Sequence, residues 1–161
     1  MLMDYLKPVL FFIPLAILQL VVIPLISIYN ITPNLILILI VYYALREGQI
    51  FGTILGFVLG FLLDLISGGL IGAFMFSFTI SAFIAGYFYS ENKMDTNLAS
   101  YFFLLIVFIS ACVNSFLFAR ISNSTSNLSL LLLIIEEGLL PGLYTTLFGL
   151  PIVVFNSKKG K

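Results

Sequence analysis

The chain has 161 residues, 61% of them hydrophobic and 9% charged, with seven basic residues against seven acidic and a mean hydropathy of +1.21. A soluble domain carries about a quarter charged residues, so this composition excludes a water-clothed globule, and zero net charge removes the electrostatic case for nucleic acid. Histidine is absent, which takes away the commonest general base and metal ligand. The single cysteine, Cys112, cannot form an internal disulfide or a CxxC site and reads as a small packing residue.

Several uninterrupted apolar runs approach the roughly 20 residues that cross about 30 Å of hydrocarbon. They are continuous rather than alternating, which argues against a β-barrel. The expected class is an all-α polytopic membrane protein, a single transmembrane domain over residues 1–161 with six transmembrane helices. The N-terminal "MLMDYLKPVLFFIPLAIL" lacks a small-x-small cleavage site and reads as a retained first span, not a signal peptide. That span covers about residues 8–29, with bends expected at Pro14 and Pro24.

The turn "NITPN" follows, then a short second span at about 34–45 that ends on Arg46-Glu47-Gly48. One helix over 34–67 would run about 50 Å, too long for one bilayer, so the charged pair divides it. The third span is expected at about 48–66 and the fourth at about 69–89. "SENKMDTN" over 90–97 is the most polar loop. The fifth span is about 98–119, followed by "RISNSTSN". Glu136 and Glu137 interrupt the last apolar stretch, and adjacent glutamates are expensive in lipid but cheap at the headgroups. Residues 128–137 therefore read as interfacial or re-entrant, and 138–155 as the sixth span.

Six spans put Lys7, Arg46, Lys93, Lys158, Lys159 and Lys161 on one side and only Arg120 on the other. Cytoplasmic loops collect Lys and Arg, so both termini are expected in the cytoplasm.

The third span carries a ladder. Gly48, Gly52, Gly56, Gly60 and Asp64 recur every four residues, and each step turns only about 40° further round a helix. Such a slowly winding small-xxx-small stripe lets two backbones approach closely. On the fourth span Gly69, Ala73, Ser77, Ser81 and Ala85 recur at the same spacing. With only the Ser67-Gly68-Gly69 corner between them, the two spans form an antiparallel hairpin whose stripes face each other or a shared third helix. Leu62 is expected on the lipid side. Asp64 has three readings: it hydrogen-bonds the corner or a neighbouring helix end, it anchors a partner or a buried polar network, or it relays protons or catalyses, for which the sequence places no second ionisable residue beside it. The candidate helix-packing or partner-binding residues are thus Gly52, Gly56, Gly60, Asp64, Ser67, Gly68, Ala73, Ser77 and Ser81.

The stretch "ALREGQIFGTILGFVLGFLLDLISGGLIGAFMFSFTISAFIAGYF", residues 44–88, resembles the rod-shape-determining protein MreD family. The similarity lies in chain length, hydropathy profile and a short second span closed by a basic turn. It continues in a glycine-stepped third span that reaches an Asp-Leu-Leu-Ser-Gly-like corner, and in a Leu/Ile-Gly start to the fourth. Here those positions are Gly56, Gly60, Asp64, Leu65, Ile66, Ser67, Gly68 and Gly72, with Ile66 in place of the usual leucine. The close similarity covers somewhat over a quarter of the chain, and Glu136, Glu137 and the C-terminal third follow no family pattern.

The resemblance implies a non-catalytic integral subunit of the bacterial cell-elongation (rod) complex in the cytoplasmic (inner) membrane. Such a subunit binds MreC directly and shares a complex with the MreB filament, the RodA glycosyltransferase and a penicillin-binding transpeptidase. It would thereby couple the cytoskeleton to peptidoglycan synthesis and maintain cell shape, with no cofactor. The implied fold is similar to the six-helix substrate-binding subunits of energy-coupling-factor transporters, which transfers helix packing and no ligand.

Two other readings stand beside it. A vitamin-type transporter subunit needs convergent polar groups; the candidates are Gln19, Asn114, Glu136 and Glu137, and the AxxxA pattern such subunits carry in the first helix is missing, since Ala16 stands alone. A membrane enzyme would need an assembled site, and the sequence has no Walker A loop, HExxH or paired-Asp motif.

Overall fold

Apolar residues on every side of a helix bury it in the centre of a bundle, and the segment LILILIVYYALRE is such a helix. The computed structural model describes residues 2–29, 31–91, 100–122, 132 and 134–159. In it, α2 (Leu35–Glu47) touches all five other main helices: α1 (Leu2–Ile17), α3 (Gln49–Ser67), α4 (Ala73–Gly86), α5 (Tyr101–Ser122) and α6 (Leu140–Lys159). Ile36, Leu37, Ile40, Val41 and Ala44 are completely buried around it. Asn34 starts the helix, its side chain accepting the Leu37 N–H at 3.0 Å. Gly48 ends it with φ +101°, a conformation that favours glycine, and α3 begins at the next residue.

No strand occurs among the described residues; the one extended pairing is an isolated bridge between Ile28 and Ile31. Four stretches are long and apolar enough to cross a membrane: Lys7–Ile26, Gln49–Ser67, Tyr101–Ser122 and Ile134–Phe155. Among the described residues the chain is helical with no strands, consistent with a helical membrane protein.

Helix bounds and faces differ from the sequence reading in several places. Pro14 lies inside regular α-helix, and the disturbance comes later, as a π turn at Leu18–Val22 followed by a 3-10 turn at Ile23–Ile26. Its cause is Pro24, which lacks the N–H that would bond the Leu20 carbonyl and whose ring crowds it. The fourth helix is α4, starting at Ala73 instead of 69, because Gly68 (φ +65°) and Gly72 (φ +103°) spread the corner over five residues. Glu136 and Glu137 do not break the last helix: they sit in a π turn, Ile134–Leu139, that runs directly into α6. Most of the polar loop over 90–97, and half of the interfacial segment over 128–137, lie outside the described residues.

Leu62 is not on the outer face. It packs half-buried against the core, and Phe61, Leu65 and Ile66 are the exposed residues there. Leu55, Leu59 and Leu63 form a second buried row beside the glycines, which widens the buried arc of α3 until Leu62 falls at its margin.

Candidate functional site

The functional geometry begins at the α3–α4 hairpin. A helix start leaves backbone N–H groups without partners, and α4 has no capping side chain of its own. Asp64 of α3 supplies one from across the corner. Its Oδ2 accepts the N–H groups of Gly72 and Met75 at 2.9 and 3.0 Å, and its Oδ1 accepts that of Phe74 at 3.0 Å. The carboxylate is 2% exposed. Negative charge at a helix N-terminus also meets the positive end of the helix dipole.

The glycines set the distance that makes this reach possible. A Cβ built on Gly60 would lie 2.6 Å from Met75 Cα and 2.7 Å from the Phe74 carbonyl oxygen. One built on Gly56 would lie 2.7 Å from the Phe78 carbonyl oxygen and 3.0 Å from Ala82 Cβ. Gly52 is seated instead against Ala44 of α2. The 40° winding per step carries the stripe from one neighbour to the other.

At the far end of the hairpin Gly86 seats on the backbone of Gln49, whose Nε2 donates to the Phe83 carbonyl at 3.1 Å. Both ends of α4 are thus tied to α3 by side chain–backbone hydrogen bonds.

A second polar assembly gathers at the Asp64 end of the bundle. A cleft of about 680 Å³ opens between the α1–α2 connection, the start of α4, the end of α5 and the π turn before α6. Gln19, Asn34, Asn114, Glu136 and Glu137 line it, together with the rings of Phe74 and Phe118. Those rings stack with centroids 4.2 Å apart. Glu137 pairs with Arg120 at 3.4 Å.

A family model described as rod shape-determining protein MreD matches residues 1–157, nearly the whole chain. The chain belongs to the MreD family. No curated protein and no solved structure matches it. Family and apolar helices together make it a rod-shape-determining membrane protein, of a family known for shape determination and not as an enzyme family.

In this MreD-family chain the residues singled out from sequence fall into three groups. Gly56, Gly60 and Asp64 meet α4, and Gly52 meets α2. Ala73, Ser77, Ser81 and Ala85 are fully buried or nearly so, yet the row that meets the glycines is the neighbouring one, Phe74, Phe78 and Ala82, with Met75 beside it. Ser77 turns its hydroxyl back to the Ala73 carbonyl at 2.8 Å, and the Ser81 hydroxyl is buried with no hydrogen-bond partner among the described residues. The corner itself contributes least: Ser67 Oγ bonds the Asp64 carbonyl at 3.3 Å, and Gly68 has open space around it.

Sequence reasoning missed Gln49, Gly86 and the Phe74–Phe118 stack. Of these only Gly86 had a signal, since Phe74, Phe78, Ala82 and Gly86 also step by four. Cys112 is half-buried, and a Cβ on Gly142 of α6 would come within 2.5 Å of its sulfur; a small pair joins α5 to α6.

Proposed function

We propose that this chain is a non-catalytic, six-pass subunit of the cell-elongation complex in the bacterial cytoplasmic membrane. It binds MreC directly and thereby joins the MreB cytoskeleton to peptidoglycan synthesis by RodA and a penicillin-binding transpeptidase. The observation that carries this reading is the family match over residues 1–157. The internal use of the polar groups supports it: the Asp64 oxygens are occupied in fixing one helix on another, not held ready for proton transfer.

Six passes require α2 and α4 to cross as well. At 13 and 14 residues each is about 20 Å long, and their flanking turns and a thinned bilayer make up the difference. An even number of passes brings Lys7, Arg46, Lys158 and Lys159 to one end, where cytoplasmic loops concentrate positive charge. Arg120, at the other end, is paired with Glu137. A six-helix packing is also what the resemblance to energy-coupling-factor binding subunits implies, and superposition of an experimental structure tests that.

The functional test is photo-crosslinking in native membranes followed by pull-down of the chain. MreC is the expected product. Its absence from cells that make both proteins, with the chain folded and abundant, overturns the reading.

A further inference from the structure

We propose that the cleft between the α1–α2 connection, α4, α5 and the start of α6 is a binding site for an ammonium group carried on an apolar body. The argument is an accounting of its polar atoms. Both polar atoms of Gln19 are engaged, its Nε2 donating to the Pro33 carbonyl at 2.9 Å and its Oε1 accepting the Leu35 N–H at 2.8 Å. Asn34 Oδ1 is used on the Leu37 N–H. The side-chain oxygen of Asn114 is different: the residue is 2% exposed, lines the cleft, and its Oδ1 has no hydrogen-bond partner among the described residues. A buried acceptor without a donor is costly, and an occupant that donates relieves it.

The charges in the cleft agree with that donor. Glu136 and Glu137 both line it, and Arg120 stands against Glu137, leaving the local balance negative. Glu136 and Glu137 also lie in the first turn of the π segment that leads into α6, where a helix start favours negative charge; Asp64 answers α4 and Asn34 answers α2. The remaining walls carry the hydroxyl residues Tyr29, Thr32 and Ser115 and an apolar, aromatic part, with Ile31, Leu140 and Pro141 beside the stacked Phe74 and Phe118; aromatic rings attract cations. At about 680 Å³ the cleft lies in the range of small-molecule pockets and far exceeds a bare ammonium. The occupant therefore carries a chain or ring as well. A phosphoethanolamine lipid headgroup and a free alkylamine share this chemistry. The site does not depend on MreC binding, so either proposal can fail alone.

Native mass spectrometry of the full chain in neutral detergent tests it, with dioleoyl-phosphatidylethanolamine, dioleoyl-phosphatidylglycerol and dodecylamine as probes. Retention of an amine-bearing probe and loss of phosphatidylglycerol is the expected result. Glu136→Gln and Asn114→Leu should each weaken retention about ten-fold, the size of a lost hydrogen bond to a charged group. Asn114→Leu should leave thermal stability equal or higher, since it removes an unpaired acceptor. Both amines retained shows recognition of the ammonium itself; the lipid alone points to the headgroup, and dodecylamine alone to a free amine. Equal retention of phosphatidylglycerol, no retention of either amine, or indifference to Glu136→Gln, which alters an exposed residue, overturns the proposal. So does a photo-crosslinker at Phe118 that captures a polypeptide in native membranes in place of a lipid or small amine.

Discussion

At the scale of single residues, Asp64 acts as a cap supplied from a neighbouring helix. A cap within its own helix would sit at Gly72, where the φ of +103° excludes any side chain able to do the work without strain. The carboxylate reaches three N–H groups because one oxygen takes two of them. Asp64→Ala leaves all three buried donors unanswered and should lower stability by about 2–4 kcal/mol. Asp64→Asn should cost about half as much, roughly 1–2 kcal/mol, because the amide oxygen can turn to serve Gly72 and Met75 while its NH2 faces the Phe74 N–H. Unfolding of the purified variants in one detergent measures the order. Equal stability of the alanine variant and the parent chain would refute the capping role.

At the scale of elements, the question is which glycines hold α3 and α4 together. Gly60 and Gly69 each belong to a four-step row, on the third and fourth span respectively, but their surroundings differ. A Cβ at Gly60 would strike the backbone of residues 74–75, which cannot move as a side-chain end can; at Gly69 the nearest atom is Ser67 Oγ at 3.6 Å. Gly60→Ala should therefore destabilise by about 1–3 kcal/mol through forced separation of the helices, and Gly69→Ala should be neutral. Loss of the hairpin's tight contact should also pull the Phe74 N–H from Asp64, so the Gly60 and Asp64 variants should combine less than additively. A double-mutant cycle measures that coupling. The sequence made the α3 stripe legible because glycine at four-residue spacing has few other physical uses in a membrane helix. The matching face of α4 was not legible, since Ala73, Ser77, Ser81 and Ala85 form a row one residue away that is smaller than the one with Phe74 and Phe78 that meets the glycines. Rotation about the Gly68 and Gly72 corner selects between them, and spacing encodes no rotation. The cleft was hidden for a related reason: its lining comes from Gln19, the α1–α2 connection, Phe74, the second half of α5 and the residues around Glu136, which only tertiary packing joins.

At the scale of the whole molecule, the six-pass reading makes the Asp64 corner and the C-terminal lysines face opposite sides of the membrane. The corner lies in the α3–α4 connection, where Gly69 is exposed and crowded by nothing, so it accepts a reporter without harm to the hairpin. In a Cys112→Ser background, Gly69→Cys should react with a membrane-impermeant maleimide in intact cells stripped of their outer barrier. Lys158→Cys and Lys7→Cys should react only after the membrane is opened. Labelling of Lys158→Cys and Lys7→Cys under opposite conditions would mean an odd number of crossings. In that case α2 or α4, the two helices of about 20 Å, would be the segment that fails to span, and the gathering of basic residues at one end would lose its explanation. Reaction of Lys7→Cys and Lys158→Cys from outside, with Gly69→Cys reacting only after the membrane is opened, would reverse the molecule and put the amine-seeking cleft on the cytoplasmic face. The lipids within its reach would then be those of the inner leaflet, while the internal contacts between α3 and α4 would stand unchanged.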